Sequence, residues 1–168
     1  MITIRITNHQ AGFAYLTEGL QQSGRRVRVP AYQASICSTQ SDNNYHFAVT
    51  RDSSAFVFGE INDQFGPNGE CLPSGSEPYL GAIHETERFP FAVRLYRPWC
   101  ARTISVEGAG HSVRTGILIH QGPARSEGCF TVAGGARAYQ VFKRSVLELV
   151  QAETVPANPI FQIYVEAI

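Results

Sequence analysis

The chain has 168 residues, of which 43% are hydrophobic, 11% aromatic and 17% charged, a composition typical of a folded globular protein. At this length we expect a single domain, spanning 1–168, with a buried core. Fourteen basic residues balance fourteen acidic ones and no block of lysine or arginine occurs, so the chain gives no electrostatic reason to expect nucleic acid or an anionic membrane as a partner.

The N-terminal segment 1–10 alternates polar and apolar residues and lacks the basic start and apolar stretch of a signal peptide. No later segment approaches the length of a membrane span. We therefore expect synthesis in the cytoplasm and no membrane span. The four cysteines are widely spaced and form no C-x-x-C pair, so we expect neither a structural zinc site nor another metal or cofactor.

The first half of the chain predicts β structure. Isoleucine alternates with polar residues over 2–7, and valine alternates with arginine over 26–29; both patterns indicate strands. The segment 31–44 is polar and rich in Ser, Gln and Asn, and we predict a loop there. Apolar residues then alternate over 45–50, and a second apolar run, 55–58, follows a turn-like stretch. We interpret these two runs as a hairpin.

The second half continues with short strands and one helix. The segment 62–78 is a turn-rich connection, whereas 89–99 and 103–106 have the residues of strands. The segment 136–152 predicts a helix, since apolar residues recur every three or four positions, and 160–165 closes the chain as a strand. The sum is a mainly β (α+β) protein, a β-sandwich or open barrel with one C-terminal helix packed on it.

One stretch has residue types suited to catalysis. An apolar run ends at His120, Gly122 follows, and after a polar turn Ser126 and Gly128 lead to Cys129. A hairpin-like loop would bring the cysteine and the histidine together as a nucleophile and its base. Gly128 frees the backbone around the cysteine, so that main-chain N–H groups can point at an oxyanion, and Ser126 can form hydrogen bonds within the loop.

A structural interpretation of the same residues stays open. Cys129 can be a small core residue at the start of a strand, and His120 a hydrogen-bonded histidine at the end of one. His111, nine positions before His120, can orient the base or contact substrate, or it can have a purely structural or exposed position.

The order of an apolar strand, His, Gly two positions later, and S-x-G-C before an apolar residue resembles the catalytic signature of the L,D-transpeptidases, cysteine enzymes of peptidoglycan. The resemblance spans 71–131, with the catalytic motif in 111–131, and leaves the role of 1–60 unassigned. It implies an L,D-transpeptidase-like fold, with His120 as the base and Cys129 as the acyl nucleophile. Gly128 and neighbouring amides would form the oxyanion hole.

The sequence departs from that family pattern at three points. The loop between the histidine and the S-x-G-C is short, Glu127 stands where the family has a histidine, and no arginine follows the cysteine. The short loop resembles a compact branch that includes effectors delivered by type VI secretion. Without the motif arginine, Arg125 and Arg114 are the candidates for holding a substrate carboxylate, and each also has a surface interpretation.

The resemblance implies an enzyme that acts on tetrapeptide stems of peptidoglycan, as an L,D-carboxypeptidase, an L,D-transpeptidase or a D-amino-acid exchanger. Its expected partners are these stem peptides, a cognate immunity protein and components of the secretion apparatus, and its expected place of action is the periplasm of a target cell. Two alternatives stay open. One is a papain-like peptidoglycan amidase or endopeptidase, although that group places its Cys before its His. The other is a non-catalytic binding or structural module of a phage or secretion apparatus.

Overall fold

The computed structural model describes residues 1–17, 26–51, 56–57, 60–61, 78–96, 103–105, 113–115, 118–122, 129–154 and 160–166. The strands in these ranges are β1 (Ile2–Thr17), β2 (Arg26–Ser38), β3 (Ser41–Arg51), β4 (Phe56–Val57), β5 (Glu60–Ile61), β6 (Tyr79–His84), β7 (Ala92–Tyr96), β8 (Thr103–Ser105), β9 (Val113–Thr115), β10 (Leu118–Gln121), β11 (Phe130–Val132) and β12 (Phe161–Val165). The helix α1 (Gly135–Ala152) lies between β11 and β12.

Eight of these strands close into a barrel in the order β1-β12-β6-β7-β10-β11-β3-β2. The pairs β1–β12 and β10–β11 are parallel, and the other neighbours in the barrel are antiparallel. The prediction of a mainly β protein with one helix packed on the sheet is confirmed. The sheet is nevertheless a closed barrel, whereas the sequence predicted a sandwich or an open barrel. The parallel pairing of β1 with β12 closes it, a contact between chain ends that local patterns do not reveal.

The barrel interior is apolar and accounts for the alternation seen at the N-terminus. Ile2, Ile4 and Ile6 of β1 are fully buried in the main hydrophobic core. Phe161 and Ile163 reach the same core from β12. Burial of each such side chain contributes about 1.5–3 kcal/mol to folding. The half-buried strand predicted at 2–7 is thus confirmed.

The loop predicted over 31–44 is wrong, because β2 continues to Ser38 and β3 begins at Ser41. In this region the inward residues include Ala34 and Ile36, which join the core, while Gln33 just before them is exposed. Strand β2 pairs with both β1 and β3. Backbone pairing on both edges therefore stabilises a strand whose side chains are too small and polar to give a clear β signal.

The predicted hairpin between 45–50 and 55–58 is also wrong. Strand β3 covers the first run and pairs with β2 and β11. Strand β4, which lies in the second run, pairs with β5. The role of 1–60 in the fold follows from these pairings, since β1, β2 and β3 are three of the eight barrel strands.

The later strand predictions are confirmed where the structure describes them. Strand β7 lies within 89–99, β8 within 103–106 and β12 within 160–165. Strand β8 pairs with β9 in a separate two-stranded sheet. Most of the predicted connection 62–78 lies outside the described residues.

The predicted helix is confirmed as α1, and its apolar stripe packs on the barrel core. The buried apolar residues of this stripe are Tyr139, Phe142, Val146 and Leu149. The Phe142 ring lies 4.9 Å from that of Phe47 on β3, and the Tyr139 hydroxyl donates to the carbonyl of Phe91. Burial raises the pKa of Tyr139 to about 12.

A glycine pair connects β11 to α1. Gly134 and Gly135 have φ angles of 95° and 73°, a left-handed conformation that side-chain-bearing residues rarely adopt. A Cβ on Gly134 would also lie 2.8 Å from the Cβ of Ala138. This turn lets the helix begin three residues after β11 ends at Val132. The helix is thereby connected closely to the strand that follows Cys129.

Candidate active site

His120 lies in β10 and Cys129 directly precedes β11, and these two neighbouring strands run parallel. Ile119 of β10 is level with Phe130 of β11, and His120 is level with Thr131. The predicted hairpin-like loop is therefore wrong, because a hairpin joins antiparallel strands. Cys129, just before β11, clusters with Leu118 of β10, so continuing the same register makes Cys129 and His120 diagonal neighbours.

Both side chains belong to the outer face of the barrel. Ile119 and Phe130 are part of the interior core, and successive residues of a strand point to opposite faces. His120 and Cys129 therefore share the face that points away from the interior. Diagonal neighbours on one face of a sheet lie about 7–8 Å apart, a separation that an imidazole and a thiol can bridge.

His120 is buried, with a relative exposure of 1%. Its Nδ1 lies 2.8 Å from the carbonyl oxygen of Gln121. A carbonyl oxygen only accepts hydrogen bonds, so Nδ1 carries the proton and Nε2 keeps a lone pair. Burial is the main cause that lowers the pKa of His120, the positive charge of Arg88 adds to it, and the bond to Gln121 opposes them. The imidazole is thus neutral at neutral pH, the form that a general base requires.

Cys129 carries a thiol that is 6% exposed. It forms a small hydrophobic cluster with Ala92 and Leu118, and Phe89 packs against this cluster. The ring of Phe89 also lies 4.9 Å from the ring of His120. One aromatic side chain thus adjoins both the surroundings of the thiol and the imidazole.

A row of buried polar side chains crosses the outer face at the level of His120. Thr131 of β11 is level with His120, and Thr50 of β3 is level with Thr131. These three residues are among the five buried polar or charged side chains in the described part of the chain. We name them the histidine row. Neighbouring strands lie about 4.8 Å apart, so Thr131 is placed to influence the orientation of His120.

Gly122 leaves room for the histidine row. A Cβ at this position would lie 3.0 Å from Cγ2 of Thr131 and 3.8 Å from Cδ2 of Leu16. Its backbone is outside the left-handed region, so the requirement for glycine here concerns space. The glycine two positions after the histidine thus has a steric role beside the candidate base. The position of Leu16 also shows that β1 reaches the edge of this site.

No protein-family model, no curated protein and no solved structure matches this chain. The resemblance to the L,D-transpeptidases therefore stays a prediction that rests on the motif.

The structure brings together only part of the predicted site. His120 and Cys129 share one face, whereas Gly128, Ser126, Arg125 and His111 lie outside the described residues. The backbone of Arg114 lies in β9, which pairs with β8 outside the barrel sheet, and its side chain is outside the described part.

Sequence reasoning missed Thr131, Thr50 and Phe89. For Thr131 the sequence held a weak signal, its position directly after the motif. Thr50 and Phe89 gave none, because each comes from a distant segment and joins the site only through strand pairing or ring contact.

The described residues hold no cluster of three or more His, Cys, Asp or Glu side chains that could bind a metal ion. In the same part of the chain, no helix combines the length and apolar character needed to cross a membrane.

Proposed function

We propose that this protein is a cysteine acyl-transfer enzyme in which Cys129 is the nucleophile and His120 its base. The observation that carries the proposal is the placement of both side chains on one outer face of two paired strands. The protonation of His120 at Nδ1 supports it, because Nε2 is then the ring nitrogen that carries the lone pair a base needs.

The proposed reaction has two steps. His120 takes the proton of the Cys129 thiol, and the sulfur attacks a carbonyl carbon to form a C–S bond. The C–N bond of the amide then breaks, and the protonated imidazole returns the proton to the leaving amine. The resulting thioester is released when water or a second amine attacks the same carbon.

The proposed substrate is the tetrapeptide stem of peptidoglycan. The attacked carbonyl belongs to the third residue, meso-diaminopimelate, and the leaving amine is the terminal D-alanine. The motif formed by His120, Gly122 and the S-x-G-C sequence supports this choice. Water as acceptor gives L,D-carboxypeptidase activity, and another amine gives cross-linking or D-amino-acid exchange. The proposal includes action in the periplasm of a target cell after type VI secretion, with an immunity protein as partner.

Purified protein incubated with muropeptides tests this function. We expect tetrapeptide stems to be shortened to tripeptides, or their terminal D-alanine to be exchanged when a D-amino acid is added. The Cys129→Ala variant is the matched control and should leave the stems intact. Unchanged stems with the wild-type protein, or equal turnover by the variant, would refute the assignment. Cleaved cross-links or released whole stems would indicate an endopeptidase or amidase instead.

One observation favours a second candidate, a non-catalytic binding or structural module. Cys129 is buried beside the apolar side chains of Ala92 and Leu118, and apolar burial raises the pKa of a thiol and makes it inert. In such a module the thiol would react slowly with alkylating reagents, whereas a thiol paired with an imidazole reacts rapidly near neutral pH.

A further inference from the structure

Arg94 carries an unsatisfied group. Its Nε is the one buried side-chain nitrogen or oxygen that finds no hydrogen-bond partner in the part of the chain that the structure describes. A buried donor without a partner costs about 1–3 kcal/mol. Native proteins satisfy most such groups, so an exception in an otherwise well-packed strand needs a physical reason.

Arg94 lies at the same level of the sheet as Cys129, two strands away. Arg94 of β7 is level with Leu118 of β10, and Leu118 forms a cluster with Cys129, which lies just before the pairing of Ile119 with Phe130. Its neighbour Val93 belongs to the interior core, so Arg94 is on the outer face. Two strand spacings, about 9.5 Å between Cα atoms, separate Arg94 from Cys129. A long arginine side chain together with a small anionic group fits a gap of this size.

The residues paired with Arg94 on the two neighbouring strands provide no anion. Its two register neighbours, Ala82 on β6 and Leu118 on β10, have no side-chain acceptor. Arg88 adds a second positive charge near His120, strong enough to lower the pKa of that histidine together with burial. Arg94 on the outer face and Arg88 near the imidazole are thus two cationic groups around the candidate site, which favours a negatively charged ligand.

We propose that Arg94 binds a carboxylate of the substrate beside the carbonyl that Cys129 attacks, and so determines specificity. This inference rests on the proposed function. The terminal D-alanine of a tetrapeptide stem carries a carboxylate next to the amide that breaks. The planar guanidinium fork can bind such a carboxylate through two parallel hydrogen bonds, and Nε would then have its acceptor. Arg94 thereby takes the role that the sequence suggested for Arg125 or Arg114.

The first test needs no peptidoglycan activity. Alkylation of Cys129 is measured with iodoacetate, which carries a carboxylate, and with the neutral iodoacetamide, by mass spectrometry of the Cys129 peptide. In both reactions the sulfur displaces iodide and a C–S bond forms. If Arg94 attracts carboxylates, the iodoacetate to iodoacetamide rate ratio should fall about tenfold in Arg94→Gln, the effect of one charge-assisted hydrogen bond.

Two further variants make this result specific. Arg5→Gln is the matched control, because Arg5 is an exposed arginine of β1 that stacks on Tyr164, 4.9 Å from the ring centroid. It should keep the wild-type ratio. Arg94→Lys keeps the charge but loses the fork, so we expect an intermediate ratio; it also serves as the measurement if the glutamine variant does not fold. An unchanged ratio in the Arg94 variant that folds, or an equal fall in Arg5→Gln, would overturn the proposal.

The second test uses tetrapeptide stems that end in a carboxylate or in an amide. We expect the wild-type protein to prefer the carboxylate form, mainly through KM, and Arg94→Gln to lose this preference. Equal discrimination by wild type and variant contradicts the role of Arg94. If the wild-type protein processes neither stem, the proposed function fails, and the alkylation ratio still decides whether Arg94 attracts a carboxylate at Cys129.

Discussion

The two faces of strands β7, β10 and β11 differ in chemistry although both contain buried residues. The inner face carries Val93, Ile119 and Phe130, each at most 2% exposed. The outer face carries Arg94, His120 and Cys129, with the last two at most 6% exposed. Burial of apolar groups stabilises the barrel, whereas burial of an imidazole and of a guanidinium nitrogen opposes folding. This contrast indicates that the outer face is arranged for a purpose other than stability, and in proteins such an arrangement is commonly a functional site.

The largest expected effect is on activity, at Cys129. Cys129→Ala removes the proposed nucleophile and should lower turnover of tetrapeptide stems by about 10⁴-fold or more. The barrel should remain folded, because the substitution removes a single sulfur from a small cluster. Product analysis by chromatography and circular dichroism of the variant measure the two quantities. Retained turnover would show that another group performs the reaction.

The adjoining base should give the next largest loss. His120→Gln keeps a polar side chain but no proton acceptor of suitable basicity, so we expect kcat/KM to fall about 10²–10⁴-fold. Steady-state kinetics at neutral pH measure this. A rise in KM with an unchanged kcat would indicate that His120 contacts substrate without transferring a proton.

The activity and the stability should both depend on pH through His120. Because burial, with help from the Arg88 charge, lowers the pKa of His120, the base stays neutral to lower pH, and the acid limb of kcat/KM should lie below pH 6.5. The unfolded state binds more protons between the folded-state pKa and about 6.5. Folding stability should therefore decrease as the pH falls through this window.

The variant His120→Gln has no imidazole to titrate at this position, so it serves as the control for this pH experiment. Urea unfolding at several pH values should show a smaller loss of stability on acidification for the variant than for the wild type. An equal loss in both proteins would assign the effect to other groups.

On the inner face, a substitution should mainly lower the stability of the fold. Phe130→Ala creates a cavity in the core, and the free energy of unfolding should fall by about 3–5 kcal/mol. Phe130 directly follows Cys129 in the chain, so the two substitutions compare neighbouring residues on opposite faces. Urea denaturation measures the loss, and a fall smaller than that of Cys129→Ala would contradict the assignment of the two faces.

The smallest expected effect concerns Gly122. Gly122→Ala places a Cβ 3.0 Å from Cγ2 of Thr131, and overpacking of this kind costs about 1–3 kcal/mol. Thr131→Ser removes that methyl group and keeps the hydroxyl. The double variant should therefore recover activity and stability lost by Gly122→Ala. Equal losses in the single and double variants would place the requirement for glycine elsewhere.

The sequence predicted those parts of the fold in which one side of an element is strongly apolar. The isoleucine alternation of β1 and the stripe of α1 are examples, since each buries one face. The continuation of β2 through Ala34 and Ser38 gave no such signal, because pairing with both neighbouring strands stabilises it. Barrel closure also could not be predicted from local sequence patterns, because it depends on the pairing of β1 with β12 from the other end of the chain.

For the site, sequence reasoning found the motif residues His120 and Cys129 but misjudged how their strands meet. The parallel pairing of β10 and β11 makes them diagonal neighbours. Thr50 and Arg94 join the site from β3 and β7 through register alone. No spacing along the chain predicts such a register. A motif can therefore indicate the candidate reacting groups, but the residues that surround them are found only from the structure.

A comparison of two thiols tests the central claim, that Cys129 and His120 act as a pair. Cys37 on β2 is more exposed than Cys129, so access alone would make Cys37 react faster with iodoacetamide. We predict that at pH 7 Cys129 is alkylated faster than Cys37 in the wild-type protein, and that His120→Gln reverses this order. If Cys129 reacts more slowly than Cys37 and the His120 variant leaves its rate unchanged, the account of this face as a catalytic site is contradicted.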